Sequence, residues 1–301
     1  MPFVRVGIVD VGANTLRLLV ATRARDGRID PLREERCQLG LGEEIVRTGG
    51  SIGAEKLEEA AAVARTHVRR ARKLSCDAIK ILVTSPGRQA TNGFRLVEAL
   101  ASATGIAPHV LSAEEEGALA WHGALAAVAG LPESVAVCDV GGGSTQLVVG
   151  TVAGGLAWMR SVDVGSLRLT RSAFASDPPR ASELAHARAQ VDESLANLAP
   201  PLPLAALATG GTARSLRRVV GEELGERELE SAVRKLSKRS VRQIVTDFGV
   251  DRPRARTLLA GTTILAGVQR LLGIPLHVAQ GGLREGAALA LLDELAAAAT
   301  G

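Results

Sequence analysis

The feature that most constrains the fold of this chain is a motif that occurs twice. Residues 4–21 read VRVGIVDVGANTLRLLVA, and residues 135–150 read VAVCDVGGGSTQLVVG. The two segments align without a gap, which places Asp10 on Asp139. Each consists of an apolar run, an aspartate, a glycine-containing turn and a second apolar run, a pattern typical of two strands joined by a tight connection. A repeat of this kind predicts two related domains that face each other across one ligand.

The turn of the second motif has the composition of an anion-binding loop. Its three consecutive glycines, 141–143, allow positive φ and carry no Cβ, so successive backbone N–H groups can converge on an anion. Ser144 and Thr145 add hydroxyl groups. Asp139, at the end of the incoming strand, is placed to hold a divalent cation, because hard cations prefer oxygen ligands. The alternative is a glycine-rich hairpin that binds nothing.

The composition is that of a globular protein large enough for two domains. The chain has 301 residues, of which 46% are hydrophobic and 23% charged, so each domain can bury its own core and disorder is not expected. We find no apolar run long enough to span a bilayer and no signal-peptide pattern, and we therefore expect a cytoplasmic protein without membrane contacts. The three cysteines are far apart in sequence, which argues against a disulfide framework or a zinc site.

The charge pattern says little about partners. The net charge is +4, and arginine greatly outnumbers lysine, which would suit a polyanionic substrate but also follows from a GC-rich genome. Aromatic residues make up 2% of the chain and there is no tyrosine, so stacking platforms for nucleic acid are scarce. We therefore expect no nucleic-acid partner.

The order of the predicted elements suggests an α/β fold that is duplicated. Each half runs as three strands in hairpin connection, followed by helix, strand, helix, strand and helix, with residues 39–50 read as a glycine-rich connection and 86–92 as a loop. This layout resembles the two ribonuclease-H-like domains, with a cleft between them, that actin, Hsp70 and sugar kinases share. We predict one domain over residues 1–122, joined by the C-terminal helix 286–301, and a second over residues 123–285.

Three glutamates open the helix that precedes the second motif. Ser112 and Glu115 have the spacing of a capping box, which accounts for Glu115. The capping box does not explain Glu114 and Glu116. Acidic side chains are common in a first helical turn because they interact favourably with the helix dipole, and a catalytic carboxylate is the alternative.

Six motifs in order resemble one family, that of exopolyphosphatases and guanosine pentaphosphate phosphohydrolases. They are VDVGANTLRLLVA, TSPGRQATN at 84–92, EEEGALAWHG, DVGGGSTQLVVG with GSLRL at 165–169, TGGTARSL at 209–216, and GGLREG at 281–286. The resemblance covers nearly the whole chain. It implies hydrolysis of a terminal phosphoanhydride, with inorganic polyphosphate as the leading substrate and Mg²⁺ as the cofactor.

The resemblance also implies roles for individual residues. Glu116 takes the position of the catalytic base, and Asp10 and Asp139 those of Mg²⁺ ligands. The residues implied to bind phosphate are Gly12, Ala13, Asn14, Thr15, Arg88, Gly141, Gly142, Gly143, Ser144 and Thr145. For Arg88 the alternative is a surface loop arginine, and for Asn14 a turn-forming residue that tolerates the left-handed conformation.

The sequence departs from the family pattern in three places. The second motif usually ends in Ser-Thr-Glu but here ends in Gln146, which we predict as a second catalytic residue: it can orient water but cannot act as a base or neutralise a metal. If the missing carboxylate limits the rate, Gln146→Glu should raise it. Gly117 replaces the usual alanine and loosens the helical turn that carries Glu116. The chain also lacks the C-terminal helical domains of longer members, which makes processive action on long polyphosphate doubtful.

Three alternatives remain open at this point. Within the family, the substrate could be guanosine pentaphosphate, cleaved at its 5′ γ-phosphate. A sugar or acetate kinase of the same superfamily would need an adenosine-binding motif, for which TGGTARSL could be mistaken. A non-catalytic polyphosphate or nucleotide sensor is suggested by Gln146. Members of the family often pair, so we expect a homodimer, although no segment of the sequence locates an interface.

Overall fold

The computed structural model describes residues 4–299 and divides into two compact units. Unit 1 runs to Ala127 and resumes at Leu283, and unit 2 spans Val128–Gly282. The domain boundaries predicted from the sequence, and the cleft predicted between the domains, stay predictions. Residues 1–3 of the first predicted domain and residues 300–301 of the predicted C-terminal helix lie outside the described residues.

Unit 1 is built on a sheet in the order β3-β2-β1-β4-β5. β2 runs antiparallel to β1 and β3, whereas β4 is parallel to β1 and β5 is parallel to β4. β1 and β2 are almost continuously apolar and are buried on both faces, as expected of central strands covered by helices. The strands are β1 Val6–Val11, β2 Thr15–Arg23, β3 Ile29–Gln38, β4 Ala78–Val83 and β5 His109–Val110.

Five helices of unit 1 precede unit 2. They are α1 Leu41–Arg47, α2 Ala54–Lys73, α3 Ser85–Gln89, α4 Gly93–Thr104 and α5 Ala113–Ala126. α2 repeats apolar residues at helical spacing and buries that face, together with one face of α4, against the sheet. The helix predicted over 55–74 and the strand predicted over 78–85 are therefore confirmed within two residues.

Unit 2 repeats this arrangement. Its strands are β6 Ser134–Val140, β7 Thr145–Thr151, β8 Gly155–Val162, β9 Ala205–Thr209, β10 Glu223–Leu224 and β11 Leu276–Val278, in the order β10-β11-β9-β6-β7-β8. Its helices are α6 Ser166–Ala173, α7 Ala181–Leu195, α8 Gly210–Val220, α9 Glu226–Ser237, α10 Val241–Phe248 and α11 Arg252–Leu272. α11 is buried over most of its surface and forms the centre of the unit's core.

The last helix, α12 Leu283–Ala298, returns to unit 1 and packs against α5, β1 and β2. Gly286 makes this packing possible. A Cβ on Gly286 would overlap the carbonyl group of Leu119 on α5, so that only glycine lets the two helices approach this closely. Because α5 also carries Glu116, α12 helps to hold the predicted base in place.

The sheet topology confirms that the two units are related. The order β3-β2-β1-β4-β5 in unit 1 corresponds to β8-β7-β6-β9-β11 in unit 2, with the same strand directions and with β10 added at the edge. This is the ribonuclease-H-like arrangement predicted from the order of elements. No helix among residues 4–299 is long and apolar enough to cross a membrane.

Two predictions of local structure were wrong. Residues 39–50 were expected to form a connection, but Leu41–Arg47 is a helix, and the loop expected at 86–92 contains most of α3. Both helices span fewer than eight residues, which is too short for an apolar period to be visible in the sequence. Backbone hydrogen bonds to other segments stabilise the start of both helices: α1 contacts the loop after β1, and α3 contacts the end of β1.

Candidate active site

The loop between β1 and β2 is held by the start of α1. The carbonyl oxygens of Ala13 and Asn14 accept hydrogen bonds of 2.7–3.1 Å from three amides that lie just before or within α1, those of Leu39, Gly40 and Gly42. The N–H and C=O of a trans peptide point in opposite directions, so the amides of Asn14 and Thr15 point away from α1. The loop therefore presents N–H donors rather than carbonyl oxygens on its outer side.

The loop between β6 and β7 is held in a similar way, by the start of α6. The carbonyl of Gly141 accepts hydrogen bonds from the amide and the hydroxyl of Ser166, at 2.9 and 3.1 Å. The carbonyl of Gly142 accepts from the amides of Leu167 and Arg168, at 3.0 and 3.1 Å. These donors belong to the first turn of α6. The amides of residues 142 and 143 consequently point outward, as in the first loop, and both loops can bind an anion.

Both loops are closed by a backbone hydrogen bond at the same place. The amide of Gly12 donates to the carbonyl of Thr15 at 3.0 Å, and the amide of Gly141 donates to the carbonyl of Ser144 at 3.0 Å. Gly165 then allows α6 to approach its loop, because a Cβ at this residue would lie 2.5 Å from the carbonyl of Gly142. The glycine of the GSLRL segment is thus required by the packing of the helix against the loop.

The two predicted metal ligands occupy equivalent positions in their units. Asp10 lies one residue before the end of β1 and Asp139 one residue before the end of β6. Oδ1 of Asp139 lies 2.7 Å from the position that a Cβ on Gly210 would take, and Gly210 has a φ of +84°. Any other residue here would be strained and would displace the carboxylate. The Asp139 carboxylate therefore lies beside the first turn of α8.

The start of α8 carries further polar groups that the sequence analysis did not assign. Thr209, the residue before α8, pairs with Asp139 across the sheet, and its hydroxyl is fully buried with no hydrogen-bond partner among residues 4–299. The guanidinium of Arg254, on α11, lies against Gly211, and its Nη1 is 3.5 Å from the hydroxyl of Thr212. The helix N-terminus and the arginine together favour an anion.

Arg88 and Glu116, predicted separately, form an ion pair in unit 1. Nη2 of Arg88 donates to Oε2 of Glu116, and Nη1 donates to the carbonyl of Leu111. Glu116 is only 6% exposed, whereas its neighbour Glu114 is exposed. A carboxylate this deeply buried needs a charged partner. The Arg88 guanidinium supplies it and also fixes the orientation of the carboxylate.

The TSPGRQATN segment brings Arg88 to this position through contacts at both ends. Thr84 donates its backbone amide to the carbonyl of Val11 at 3.1 Å, which ties the start of α3 to the first loop. Asn92 forms a two-sided hydrogen bond with the backbone of Ile52, at 2.8 and 2.9 Å. A Cβ on Gly93 would overlap the carbonyl of Gly87. These contacts explain the asparagine at the end of the segment and the glycine that directly follows it.

The predicted capping box at the start of α5 is confirmed. The amide of Glu115 donates to the hydroxyl of Ser112 at 3.1 Å, and the amide of Ser112 donates to the carboxylate of Glu115 at 2.7 Å. The hydrogen bond from the Ser112 amide, followed by that from His109, lowers the pKa of Glu115. Glu115 thus stabilises the helix end, and the neighbouring Glu116 is left facing Arg88.

The hydroxyl groups of the loops differ in their partners. Thr15 accepts from Nε of Arg17 at 3.2 Å, and Ser144 accepts from Nε2 of Gln146 at 3.0 Å. Thr145 instead donates its hydroxyl to the carbonyl of Val164, which ties β7 to the segment before α6. Its predicted contact with phosphate stays a prediction and would require this hydroxyl to change partner.

Comparison with known proteins identifies the family. A sequence model of the Ppx/GppA phosphatase family matches residues 20–295. Exopolyphosphatase 1 of Mycobacterium tuberculosis is 28% identical, covering 96% of this chain and 88% of that protein. The Aquifex aeolicus member of the Ppx/GppA family has a TM-score of 0.83 at 24% identity, covering 98% of this chain and 99% of that chain. An exopolyphosphatase from Cytophaga hutchinsonii has a TM-score of 0.86 at 21% identity, covering 96% and 98%. The resemblance predicted from the motifs is confirmed: the chain is a phosphoanhydride hydrolase that belongs to the Ppx/GppA phosphatase family.

Proposed function

We propose that the protein is a Mg²⁺-dependent exopolyphosphatase that releases phosphate from the end of inorganic polyphosphate. The observation that carries this proposal is the similar construction of the two loops, in which two successive carbonyls bound by amides at the start of a helix leave the amides that follow them directed outward. Each loop of this kind suits a phosphate group. The name of the similar mycobacterial protein, exopolyphosphatase 1, supports the same substrate.

The donor chemistry of the site fits magnesium. No group of three or more His, Cys, Asp or Glu side chains that could hold a metal ion occurs among the described residues. Mg²⁺ commonly keeps several waters and is bound by one or two carboxylates together with substrate phosphates. We propose Asp10 and Asp139 as those carboxylates. The bound ion would neutralise negative charge on the phosphoryl oxygens.

In this proposal Glu116 is the general base. Its carboxylate takes a proton from the attacking water, whose oxygen forms a bond to the terminal phosphorus while the bond to the bridging oxygen breaks. One water is consumed for each phosphate released. Arg88 orients Glu116 and carries positive charge for the substrate. The proposed phosphate-binding residues are Gly12, Ala13, Asn14, Thr15, Arg88, Gly141, Gly142, Gly143, Ser144 and Thr145, and the contacts at α8 add Arg254 to them.

The experiment that tests this function is a substrate comparison with purified protein. Phosphate release is measured from polyphosphate and from guanosine pentaphosphate, each with Mg²⁺ and with EDTA. We expect release from polyphosphate that requires Mg²⁺. Faster release from the nucleotide would replace the proposed substrate, and release from neither, with binding retained, would favour a sensor. The predicted cytoplasmic location and homodimer stay predictions.

A further inference from the structure

Gln146 lies in a row of polar side chains that crosses the sheet of unit 2. In the strand register Thr209 is beside Asp139, Asp139 is opposite Gln146, and Gln146 is opposite Ser161. Residues in register on neighbouring strands share a face of the sheet. The side chain of Gln146 is 4% exposed, so its amide is part of the interior of the unit beside the second loop.

The side-chain amide of Gln146 donates two hydrogen bonds to serine hydroxyls. Nε2 is 3.0 Å from Oγ of Ser144 and 3.1 Å from Oγ of Ser161. An amide group carries two N–H hydrogens, so it can donate to both hydroxyls. A serine hydroxyl has one hydrogen and two lone pairs. Since Ser144 accepts from Gln146, its own hydrogen can turn toward a ligand held at the loop.

Unit 1 contains the same relationship independently. Nε of Arg17 donates to Oγ1 of Thr15 at 3.2 Å, and Arg17 is opposite Asp10 in the register as Gln146 is opposite Asp139. In both repeats a nitrogen donor two residues beyond the loop hydroxyl donates to it. The two side chains differ in length and charge but share the direction of the hydrogen bond. What the two units share is therefore a hydrogen bond donated to the loop hydroxyl, and the type of the donating residue differs.

We propose that Gln146 is a positioning residue that fixes Ser144 as a hydrogen-bond donor to the bound phosphate. The proposal rests on the proposed function and deepens it, because it states which partner donates in the hydrogen bond between Ser144 and the phosphate. A glutamate at residue 146 accepts only, so the hydroxyls of Ser144 and Ser161 would have to donate to it. Ser144 would then present a lone pair to the phosphate instead of a hydrogen.

The test is a double-mutant cycle read by binding, without turnover. The affinity for inorganic tripolyphosphate is measured by calorimetry in EDTA for the wild type, Ser144→Ala, Gln146→Met and the double variant. Methionine keeps the length of the side chain and removes the donor. We expect Ser144→Ala to weaken binding about tenfold, because a hydrogen bond to a charged group is lost, and Gln146→Met to weaken it less, because the hydroxyl stays but is no longer oriented. The double change should weaken binding no further than Ser144→Ala does. Additive losses would overturn the proposal.

Two further variants exclude a merely structural effect. Gln190→Met changes a glutamine of α7 that contacts Ser172 rather than the loop, and it should bind tripolyphosphate as the wild type does. Gln146→Glu should bind more weakly than Gln146→Met because it adds a negative charge as well as reversing the hydrogen bond. Tighter binding by Gln146→Glu would contradict the proposal. If Gln146→Met shows no cooperative thermal transition, Ser161→Ala replaces it in the cycle, and the same non-additivity with Ser144→Ala is expected.

The kinetic readout separates this proposal from the proposed function. With polyphosphate, Gln146→Met should raise KM by the factor seen in binding and change kcat much less. If the cycle is coupled but the wild type releases no phosphate from polyphosphate, the proposed exopolyphosphatase function fails and the positioning role stands. If the wild type hydrolyses polyphosphate but the cycle is additive, only the positioning role fails.

Discussion

The guanidinium of Arg88 donates to the carboxylate of Glu116 with one nitrogen and to the carbonyl of Leu111 with the other. Two hydrogen bonds from one planar group fix the direction in which the carboxylate faces. An ammonium group is a compact charge and cannot reproduce this fork. Arg88 belongs to the TSPGRQATN segment, which Thr84 connects to the end of β1 beside the first loop. The ion pair therefore links the proposed base to this segment.

Replacing Arg88 by lysine should therefore impair catalysis while keeping the charge. We expect kcat/KM for polyphosphate to fall about 100-fold, because small displacements of a catalytic group have effects of this size. Arg95→Lys is a matched control, since Arg95 is exposed on α4. Equal rates for Arg88→Lys and the control would contradict the role assigned to the fork.

Gly165→Ala should damage the second loop through packing alone. The added Cβ would lie 2.5–2.6 Å from backbone atoms of Gly142 and Gly143, so α6 or the loop must move. We expect the free energy of unfolding, measured with urea, to fall by about 1–3 kcal/mol, and KM to rise. Gly12→Ala is the comparison, because the nearest atom to its Cβ would be 3.4 Å away. A smaller loss for Gly165→Ala than for Gly12→Ala would disprove the packing argument.

Arg254 should contribute to substrate binding although it lies far from the loops in sequence. Its guanidinium contacts Gly211 at the first turn of α8, beside the Asp139 carboxylate. Arg254→Gln removes the charge, and we expect KM for polyphosphate to rise about tenfold, the size of one lost charge-assisted hydrogen bond. Arg256→Gln, an exposed neighbour on α11, should leave KM unchanged. Identical KM values for both variants would remove Arg254 from the site.

Stability should fall as the pH drops below about 6.5, because of His67. Its imidazole is buried, with Nδ1 3.5 Å from Oε2 of Glu35. Burial lowers the pKa of His67, and the Glu35 carboxylate only partly opposes this effect. Below pH 6.5 the unfolded chain binds a proton that the folded chain does not, so acid favours unfolding.

Glu35 acts in the same direction at lower pH. Burial raises its pKa, but hydrogen bonds from Arg70 and Arg33 together lower the pKa below its ordinary value of 4.5. Its stabilising effect is present above pH 4.5 and is lost as the pH falls through the lowered pKa. Of these two groups, His67 is the one whose effect falls between pH 7.5 and 5.5. The wild type should lose more unfolding free energy over this interval than His67→Gln, and equal losses would refute the assignment.

The sequence was most informative where one structure occurs twice. The repeat predicted both loops, and the strand register confirms the equivalence of Asp10 and Asp139. The backbone hydrogen bonds that hold the loops could not be predicted in the same way. α1 has seven residues and no visible period, and its role depends on amides that meet the carbonyls of Ala13 and Asn14 only after folding.

Contacts between distant segments were also hidden. Arg88 and Glu116 are 28 residues apart, so each could be proposed from its motif but their ion pair could not. Arg254 lies among several arginines of one segment, RPRAR, and nothing in the sequence distinguishes it from its neighbours. Gln146 was predicted from its departure from the family pattern. Its contact with Ser161 depends on the register of β7 and β8, which could not be derived from the sequence.

The central claim is that Glu116 acts as the base in the Mg²⁺-dependent hydrolysis of polyphosphate. The most direct measurement is kcat for phosphate release from polyphosphate by the wild type, Glu116→Gln and the exposed control Glu114→Gln, each with Mg²⁺ and with EDTA. We predict that Glu116→Gln lowers kcat about 100- to 10,000-fold, the usual contribution of a general base, that Glu114→Gln has no effect, and that EDTA abolishes release. Wild-type turnover by Glu116→Gln would contradict the account.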